Sequence, residues 1–193
     1  MITMGYQIRK MSRTDWPEVS LIYQQGIDTG LVTLEPHCPA WSEWNRAHLK
    51  ACRLVTEEDS NVIGWAALTP VSGRCVYAGV AEVSVYVSPE HQGKGAGKAL
   101  LKELIRCSEE MGFWTLQSGI LQENTASLRL HERCGFRMVG YREKTGRDPA
   151  GKWRKTVLME RRSTNDTEVF FPAGTYTSQT SSSGVQFASQ MSP

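Results

Sequence analysis

The sequence lacks any long apolar run, and nothing in its 193 residues approaches the roughly 18 consecutive apolar residues that a membrane span needs. The N-terminal segment MITMGYQIRKMSRTD has no apolar core of the kind that secretory signals carry. A strong excess of charge is also missing, since 22 Lys and Arg oppose 20 Asp and Glu for a net charge of +2. We therefore expect a cytoplasmic protein with no membrane partner and no nucleic-acid partner.

Paired cysteine motifs are also absent. The five cysteines are odd in number and show no CxxC spacing: Cys38, Cys52, Cys75, Cys107 and Cys134. We therefore expect reduced, mostly buried thiols rather than a disulfide framework. The two close His/Cys pairs, at residues 37–38 and 131–134, supply too few ligands for a structural zinc ion, so we expect no metal.

Basic residues disappear after Arg162. The segment 163–193 is rich in Ser, Thr and Gly, and its charged residues are Asp166 and Glu168. We predict a disordered or loosely docked tail over 163–193, following one domain over residues 1–162. Within that domain, residues 142–162 hold eight basic and three acidic residues. This stretch is either a solvated hairpin or a positive rim for an anionic ligand.

Two hydrophobic periods alternate along residues 1–162. Period-2 segments and helical stripes follow one another in the order β-α-α-β-β-β-α-β-α-β-β, with no internal repeat. The last two strands, Phe136–Glu143 and Trp153–Glu160, are predicted to form a C-terminal β-hairpin. This order predicts an α/β fold with a mixed sheet flanked by helices.

The predicted strand Ala81–Val87 places polar groups on one face of the sheet. Because side chains alternate along a strand, a carboxylate, a hydroxyl and a phenol share one face, and three valines share the other. The polar residues are Glu82, Ser84 and Tyr86, and the apolar ones are Val83, Val85 and Val87. A carboxylate on such a strand is a candidate general base.

A glycine-rich turn connects this strand to the next helix, with the sequence Gln92, Gly93, Lys94, Gly95, Ala96, Gly97 and Lys98. Unpaired N–H groups at a helix start and the helix dipole attract anions, and glycine lets a phosphate approach the backbone. The turn is therefore an anion cradle or a flexible surface loop. The turn does not match a Walker A motif, because Ala99 stands where that motif needs Ser or Thr. It does not match the dinucleotide-binding fingerprint either, because its glycines have a different spacing.

The turn fits the pattern Gln/Arg-x-x-Gly-x-Gly/Ala, and a second block supports it with Asn124, Ser127, His131, Gly135 and Phe136. Together, in this order, the two blocks resemble the GCN5-related N-acetyltransferase (GNAT) superfamily over about residues 6–161. The resemblance implies the GNAT fold with a mostly antiparallel sheet. It also implies acetyl-CoA as co-substrate, no metal, direct attack in a ternary complex, and a homodimer.

A third block is similar to one branch of that family, the phosphinothricin acetyltransferases and their relatives that act on methionine sulfoximine and arsinothricin. The block comprises Arg74, Tyr77, Glu82, Ser84, Tyr86 and Val87, and the Arg-Leu-His-Glu segment at residues 129–132 also matches. This resemblance implies acetylation of the α-amino group of a small, anionic, glutamate-like amino acid. Leu34 stands where the branch has an aromatic residue facing the acceptor side chain, and Ser72 stands where some members have Lys.

Three residues are candidates for the chemistry. Glu82 would remove the ammonium proton, and the alternative is an ion pair with Arg74. His131 stands where many family members place a tyrosine acid, so it would protonate the leaving thiolate, accept the amine proton, or be structural. The Tyr86 hydroxyl would donate to the thioester or the substrate, or its ring would simply pack.

The remaining candidates bind the two substrates. By resemblance, acetyl-CoA contacts the backbone of residues 85–87, the glycine-rich turn, Asn124 and Ser127. Arg74 is suited to grip the acceptor's anionic group, with Tyr77 and Ser84 beside it. Two alternatives stay open, namely another amine acceptor such as a peptide N-terminus, polyamine or aminoglycoside, and a CoA-binding module without catalysis.

Overall fold

The computed structural model describes residues 5–164, so the predicted tail lies outside the described residues except for its first two positions. The main elements follow the predicted order: β1 Gln7–Lys10, α1 Trp16–Asp28, α2 Trp41–Ala47, β2 Leu54–Glu58, β3 Asn61–Pro70, β4 Val80–Val87, α3 Ala96–Glu110, β5 Thr115–Leu121, α4 Thr125–Arg133, β6 Arg137–Arg147 and β7 Trp153–Arg162. No helix in the described range is long and apolar enough to cross a membrane.

The strands form one sheet in the order β1-β2-β3-β4-β5-β7-β6. Five of the six neighbouring pairs are antiparallel, and only β4 and β5 run parallel. The β6–β7 hairpin closes one edge of the sheet. The predicted mixed, mostly antiparallel sheet with a C-terminal β-hairpin is therefore confirmed.

Each face of the sheet carries its own apolar cluster. Helix α3 buries Leu100, Leu101 and Leu104 on one face, against strand residues that include Val83 and Met159. On the other face, α1 and α2 bury Val19, Ile22 and Trp44 against Trp65 and neighbouring residues of β2 and β3. The sheet is thus covered on both sides, as a layered α/β fold requires.

Helix α2 ends at Ala47, four residues before the end of the helix that the sequence pattern predicts over Trp41–Ala51. The side chain of Arg53 explains the early end, because it donates hydrogen bonds to the carbonyl oxygens of Asn45, His48 and Leu49. The segment that follows contacts β3, where the N–H of Leu49 donates to the carbonyl of Leu68. A cationic cap from Arg53, four to eight residues along the chain from its acceptors, therefore replaces the last helical turn.

The expectation that all five thiols are reduced is wrong for two of them. Cys52 and Cys107 form a disulfide with a Cα–Cα distance of 5.7 Å, which joins the segment before β2 to α3. The two residues are 55 positions apart, so their proximity depends on the tertiary fold and leaves no spacing signal in the sequence. Cys38, Cys75 and Cys134 are free cysteines in the described part of the chain.

Gly64 in β3 allows the closest approach between β3 and β4 beneath the glycine-rich turn. A Cβ atom at this position would lie 2.9 Å from the carbonyl oxygen of Tyr86 and 3.1 Å from Leu100 Cδ1. We predict that Gly64→Ala lowers the free energy of unfolding by roughly 1–3 kcal/mol, because a backbone atom has to move. Urea unfolding measures the change.

Gly73→Ala is the matched control, because a Cβ atom there meets nothing within 4 Å. This variant should be neutral or stabilising by at most about 1 kcal/mol, through the loss of unfolded-state entropy. Equal stability of the two alanine variants would contradict the steric explanation.

Candidate active site

The site begins where β4 and β5 separate. The two strands pair only over Val80–Glu82 and Thr115–Gln117, and β4 then continues to Val87 without a partner on that side. On its other side, β4 is paired with β3, and the N–H of Ser88 donates to the carbonyl of Ile63. Because donors alternate along an antiparallel ladder, the N–H groups of Val85 and Val87 face the gap.

A cleft of about 1180 Å³ surrounds this gap, and its lining residues fall on two groups of elements, which we call its two lobes. The first lobe is lined by the glycine-rich turn and α4, through Gln92, Gly93, Gly95, Gly97, Lys98, Asn124, Ser127, Arg129, Leu130, His131 and Arg133. The second lobe is lined by α1, the segment after it, α2 and the C-terminal hairpin, through Tyr23, Gly26, Leu31, Thr33, Leu34, Glu35, Glu43, His48, Arg142, Thr145 and Thr156. Strand β4 contributes residues 82–87 between the lobes.

The first lobe has the properties of an anion site. Gly95 has a φ of 93° and caps α3, and the first helical hydrogen bond runs from the N–H of Ala99 to the Gly95 carbonyl. The N–H groups of residues 96–98 therefore precede the helical bonds and point toward the turn. Three cationic side chains line the same lobe: Lys98, Arg129 and Arg133.

The predicted residues of the turn differ in what they offer to a ligand. Gln92 Nε2 donates to the Val87 carbonyl at 3.2 Å, which ties the turn to the end of β4. Ala96 is buried at 1% exposure and does not line the cleft. Lys94 is exposed and does not line the cleft.

Glu82 lies half-buried at the start of the gap and lines the cleft. Its Oε1 is 3.7 Å from the position that a Cβ of Gly119 would occupy, so the carboxylate leans toward β5. Among the described residues, no side chain forms a hydrogen bond or ion pair with this carboxylate, and the alternative pairing with Arg74 is not made. The carboxylate is therefore available to a ligand.

His131 is buried at 3% exposure in α4 and lines the cleft from the opposite side. Its Nδ1 lies 2.8 Å from the Ser127 carbonyl oxygen, so Nδ1 carries the proton, because a carbonyl can only accept. Nε2 is then an acceptor, and it is buried without a partner in the described part of the chain. Burial lowers the pKa of the imidazole, so the ring is neutral at physiological pH.

Asn124 and Ser127 organise the start of α4. Asn124 Oδ1 accepts from the N–H of Ser127 at 3.0 Å, which makes Asn124 the N-cap of the helix. Ser127 in turn supplies the carbonyl that orients His131. Both residues line the cleft, so they hold His131 in place and border the space expected for acetyl-CoA.

Tyr86 packs within an aromatic group on the α1–α2 face of the sheet. Its ring stacks on Trp65 with centroids 4.6 Å apart and meets Tyr23 edge-on at 4.9 Å. Gly26 lies against this ring, since a Cβ there would be 2.9 Å from it. Burial, with a smaller effect of Tyr23, raises the pKa of the Tyr86 phenol well above its usual value. The Tyr86 phenol therefore keeps its proton, and the contacts of its ring show a packing role.

Arg74 and Tyr77 do not line the cleft. Both are exposed in the segment between β3 and β4, where the Arg74 guanidinium lies 5.7 Å from the centre of the Tyr77 ring. Within the single chain, Arg74 therefore lies outside the cleft in which it was expected to bind the acceptor's anionic group. Ser84 and Leu34 do line the cleft, and Leu34 packs on Gly146 of the hairpin.

His48 and Arg142 are among the cleft residues that the sequence analysis did not identify. His48 donates from Nδ1 to the Trp44 carbonyl at 2.8 Å and stacks on the Trp44 ring. Arg142 belongs to the basic stretch noted in the sequence, but charge density alone did not show which of the eight cations faces the cleft.

Within residues 5–164, no group of three or more His, Cys, Asp and Glu is placed to hold a metal ion.

Comparison with known proteins bears on this site. The profile of the Acetyltransferase (GNAT) family matches residues 7–136. Phosphinothricin N-acetyltransferase of Alcaligenes faecalis is 35% identical over 162 residues, covering 80% of this chain and 81% of that protein. L-methionine sulfoximine/L-methionine sulfone acetyltransferase of Salmonella typhimurium is 36% identical over 107 residues, covering 55% of this chain and 62% of that protein.

A solved structure is similar over the whole fold. The crystal structure of a GNAT superfamily phosphinothricin acetyltransferase from Sinorhizobium meliloti, in complex with AcCoA, superposes with a TM-score of 0.77 and 29% sequence identity. The match covers 87% of this chain and 96% of that chain. The arrangement of strands and helices around the cleft is thus shared with an acetyl-CoA-binding protein.

His48, which is half-buried, and His131, which is buried, lead to a prediction about pH. Burial lowers the pKa of His48 to about 4 and also lowers that of His131, whereas an unfolded histidine titrates near 6.5. The unfolded chain therefore binds more protons in this window, so stability is full above about pH 6.5 and falls as the pH drops toward 4. Urea unfolding at pH 7 and pH 5 should show the loss.

The variant His48→Gln should lose less stability than the wild type between these two pH values, because one titrating group is gone. His37→Gln, at an exposed position, serves as the control and should keep the wild-type pH dependence. An unchanged slope in His48→Gln would show that His48 is not held neutral by the fold.

Proposed function

Because the chain belongs to the acetyltransferase (GNAT) family and is therefore an acyltransferase, we propose that it transfers the acetyl group of acetyl-CoA to the α-amino group of a small, anionic, glutamate-like amino acid. The observation that carries this proposal is the cleft itself, where an anion-binding lobe and a lobe with an unpaired carboxylate meet at the gap between β4 and β5. The relatives named for phosphinothricin and methionine sulfoximine support the class of acceptor.

The first lobe suits the coenzyme. The N–H groups at the start of α3 and the cations Lys98, Arg129 and Arg133 match the charge of a pyrophosphate and a further phosphate. The N–H groups of Val85 and Val87 offer donors to the amides and the thioester oxygen, where charge develops during acyl transfer. Asn124 retains its side-chain N–H donors beside this path.

Glu82 is suited to act as the general base. An amine acceptor arrives as an ammonium ion near neutral pH and has to lose a proton before it can attack. The Glu82 carboxylate lines the cleft at the gap and has no partner among the described side chains, so it can receive that proton directly or through one water molecule. The hydroxyl of Ser84, on the same strand face, adds a hydrogen-bonding group for the acceptor.

His131 is suited to accept a hydrogen bond rather than to protonate the thiolate. With Nδ1–H committed to the Ser127 carbonyl, the imidazole presents only the lone pair of Nε2. Its lowered pKa opposes the protonated form that a general acid would need. We therefore assign His131 the role of a proton acceptor or orienting group for the attacking amine or its water, with no acid step.

A panel of acceptors tests the proposal. We predict that acetyl-CoA is consumed, with thiol release, in the presence of phosphinothricin, methionine sulfoximine or arsinothricin, and that cationic polyamines and aminoglycosides are poor acceptors. Thiol release measured with a disulfide reagent gives the rates. Turnover of polyamines or peptide N-termini alone would reject the acceptor class. CoA binding by calorimetry without turnover of any amine would favour the non-catalytic binding module.

The variant Glu82→Gln tests the base. The substitution keeps the shape of the side chain but removes its ability to take a proton, so kcat at neutral pH should fall about 100-fold or more. Acetyl-CoA affinity measured by calorimetry should stay unchanged. Glu132→Gln, exposed in α4 and outside the cleft lining, is the matched control and should keep full activity. Near-normal turnover by Glu82→Gln would reject the base role.

A further inference from the structure

Among the described residues, one cation lines the second lobe, and it differs from Arg74, the cation that sequence similarity indicates. Arg142 in β6 lines the cleft, whereas Arg74 does not. The other cationic side chains of the cleft lining, Lys98, Arg129 and Arg133, lie on α3 and α4 in the first lobe. An anionic acceptor in the second lobe would therefore find its cationic partner on the C-terminal hairpin.

The pleat of the sheet places Arg142 on the same face as Glu82. Arg142 is registered with Thr156, and Thr156 with Leu121 of β5. Ile120 and Val157, one position away on these strands, belong to the opposite cluster packed under α3. Because paired residues share a face and neighbours alternate, Leu121, Thr156 and Arg142 point to the other face.

Glu82 lies on that face as well, through its pairing with Gln117. Strand β6 is three strand spacings, roughly 14 Å, from β4, which carries Glu82. The carboxylate and the guanidinium therefore border the same lobe from two sides. The separation leaves room for an amino acid between them, with its ammonium group toward Glu82.

Most cations of the basic stretch already have partners. Lys155 pairs with Glu143 at 2.9 Å, Arg154 contacts Glu123 and Asp148, and Arg161 pairs with Glu109. Arg147 stacks over Trp153 at 4.4 Å. These residues account for the solvated-hairpin interpretation of the stretch.

Arg142 differs from these cations. In the described part of the chain its guanidinium forms no ion pair and no hydrogen bond, and its backbone carbonyl accepts from the Thr145 hydroxyl at 3.1 Å. Lys144 and Lys152 are exposed and do not line the cleft. Arg142 is thus the cation of this stretch that faces the site, which matches the positive-rim interpretation at a single position.

The charge pattern of the second lobe is dipolar. Three carboxylates line it, those of Glu35, Glu43 and Glu82, opposite the guanidinium of Arg142. Such a lobe orients a molecule that carries an ammonium at one end and an anion at the other, and Arg142 disfavours acceptors that are cationic at both ends. A guanidinium is well matched to carboxylate, phosphinate or arsinate oxygens because it can donate two parallel hydrogen bonds.

We propose that Arg142 binds the anionic side-chain group of the acceptor and thereby determines selectivity for acidic over neutral amino acids; this inference rests on the proposed function. Leu34, packed on Gly146 of the same hairpin, then covers the acceptor's methylene groups beside Arg142. In this proposal Arg142 of the hairpin, and not Arg74, binds the acceptor's anionic group.

The experiment compares Arg142→Gln with the wild type on two acceptors of similar size, anionic phosphinothricin and neutral methionine sulfone. Loss of a charge-assisted hydrogen bond should raise KM for phosphinothricin roughly 10- to 100-fold with little change in kcat, because the contact is equally present in ground and transition states. KM for methionine sulfone should change less than about threefold. Arg142→Lys should recover part of the phosphinothricin affinity.

Two further variants sharpen the comparison. Arg147→Gln, on the same hairpin but outside the cleft lining, should behave as wild type with both acceptors. If Arg74→Gln raises the phosphinothricin KM selectively while Arg142→Gln does not, the proposal is overturned and Arg74 takes the role. Equal losses with both acceptors in Arg142→Gln also overturn it, since they indicate that Arg142 binds the α-carboxylate that both acceptors share or that it acts structurally.

The wild-type result separates this inference from the proposed function. Turnover of methionine sulfone without turnover of phosphinothricin overturns the role of Arg142 but leaves the chain an amino-acid N-acetyltransferase. Turnover of neither acceptor, nor of any other amino acid, overturns both.

Discussion

The separation of β4 from β5 is the constraint on which the rest of the site depends. Pairing stops after Glu82 and Gln117, so β4 continues with N–H and carbonyl groups that have no strand partner on one side. Backbone polar groups are costly to leave unsatisfied away from water, so such a gap favours a ligand that supplies hydrogen bonds of its own. A pantetheine chain with two amides has this chemistry.

The same gap connects the two faces of the sheet. His131 belongs to α4 and packs on Phe136 in the cluster under α3, while Glu82 belongs to the face covered by α1 and α2. Both side chains line one cleft because the strands between them have opened. The aromatic stacking of Tyr86 on Trp65 holds β4 against β3, so that the opening occurs on the β5 side only.

Local patterns predicted much of this arrangement. The alternation along residues 81–87 identified the face that carries Glu82, and the glycine spacing identified the turn that starts α3. Both features are encoded within a few neighbouring residues. The order of elements and the glycine-rich side of the cleft could therefore be predicted from the sequence.

Contacts between distant segments could not be predicted from such local patterns. The Cys52–Cys107 disulfide joins positions that are 55 residues apart and meet only in the folded chain. The direction of Arg142 depends on the register shift between Met138 and Gly140, which turns the following side chains of β6 to the other face of the sheet. Similarity indicated Arg74, whose segment lies outside the cleft lining in the single chain.

A crystal structure with bound CoA and an amino-acid acceptor tests the central claim most directly, because the claim is that both substrates meet at the gap between β4 and β5. The account predicts the pantetheine chain along Val85 and Val87, with the acceptor amine within hydrogen-bonding reach of Glu82, directly or through one water molecule. A coenzyme that runs elsewhere on the sheet, or an acceptor amine bound away from Glu82, would contradict it.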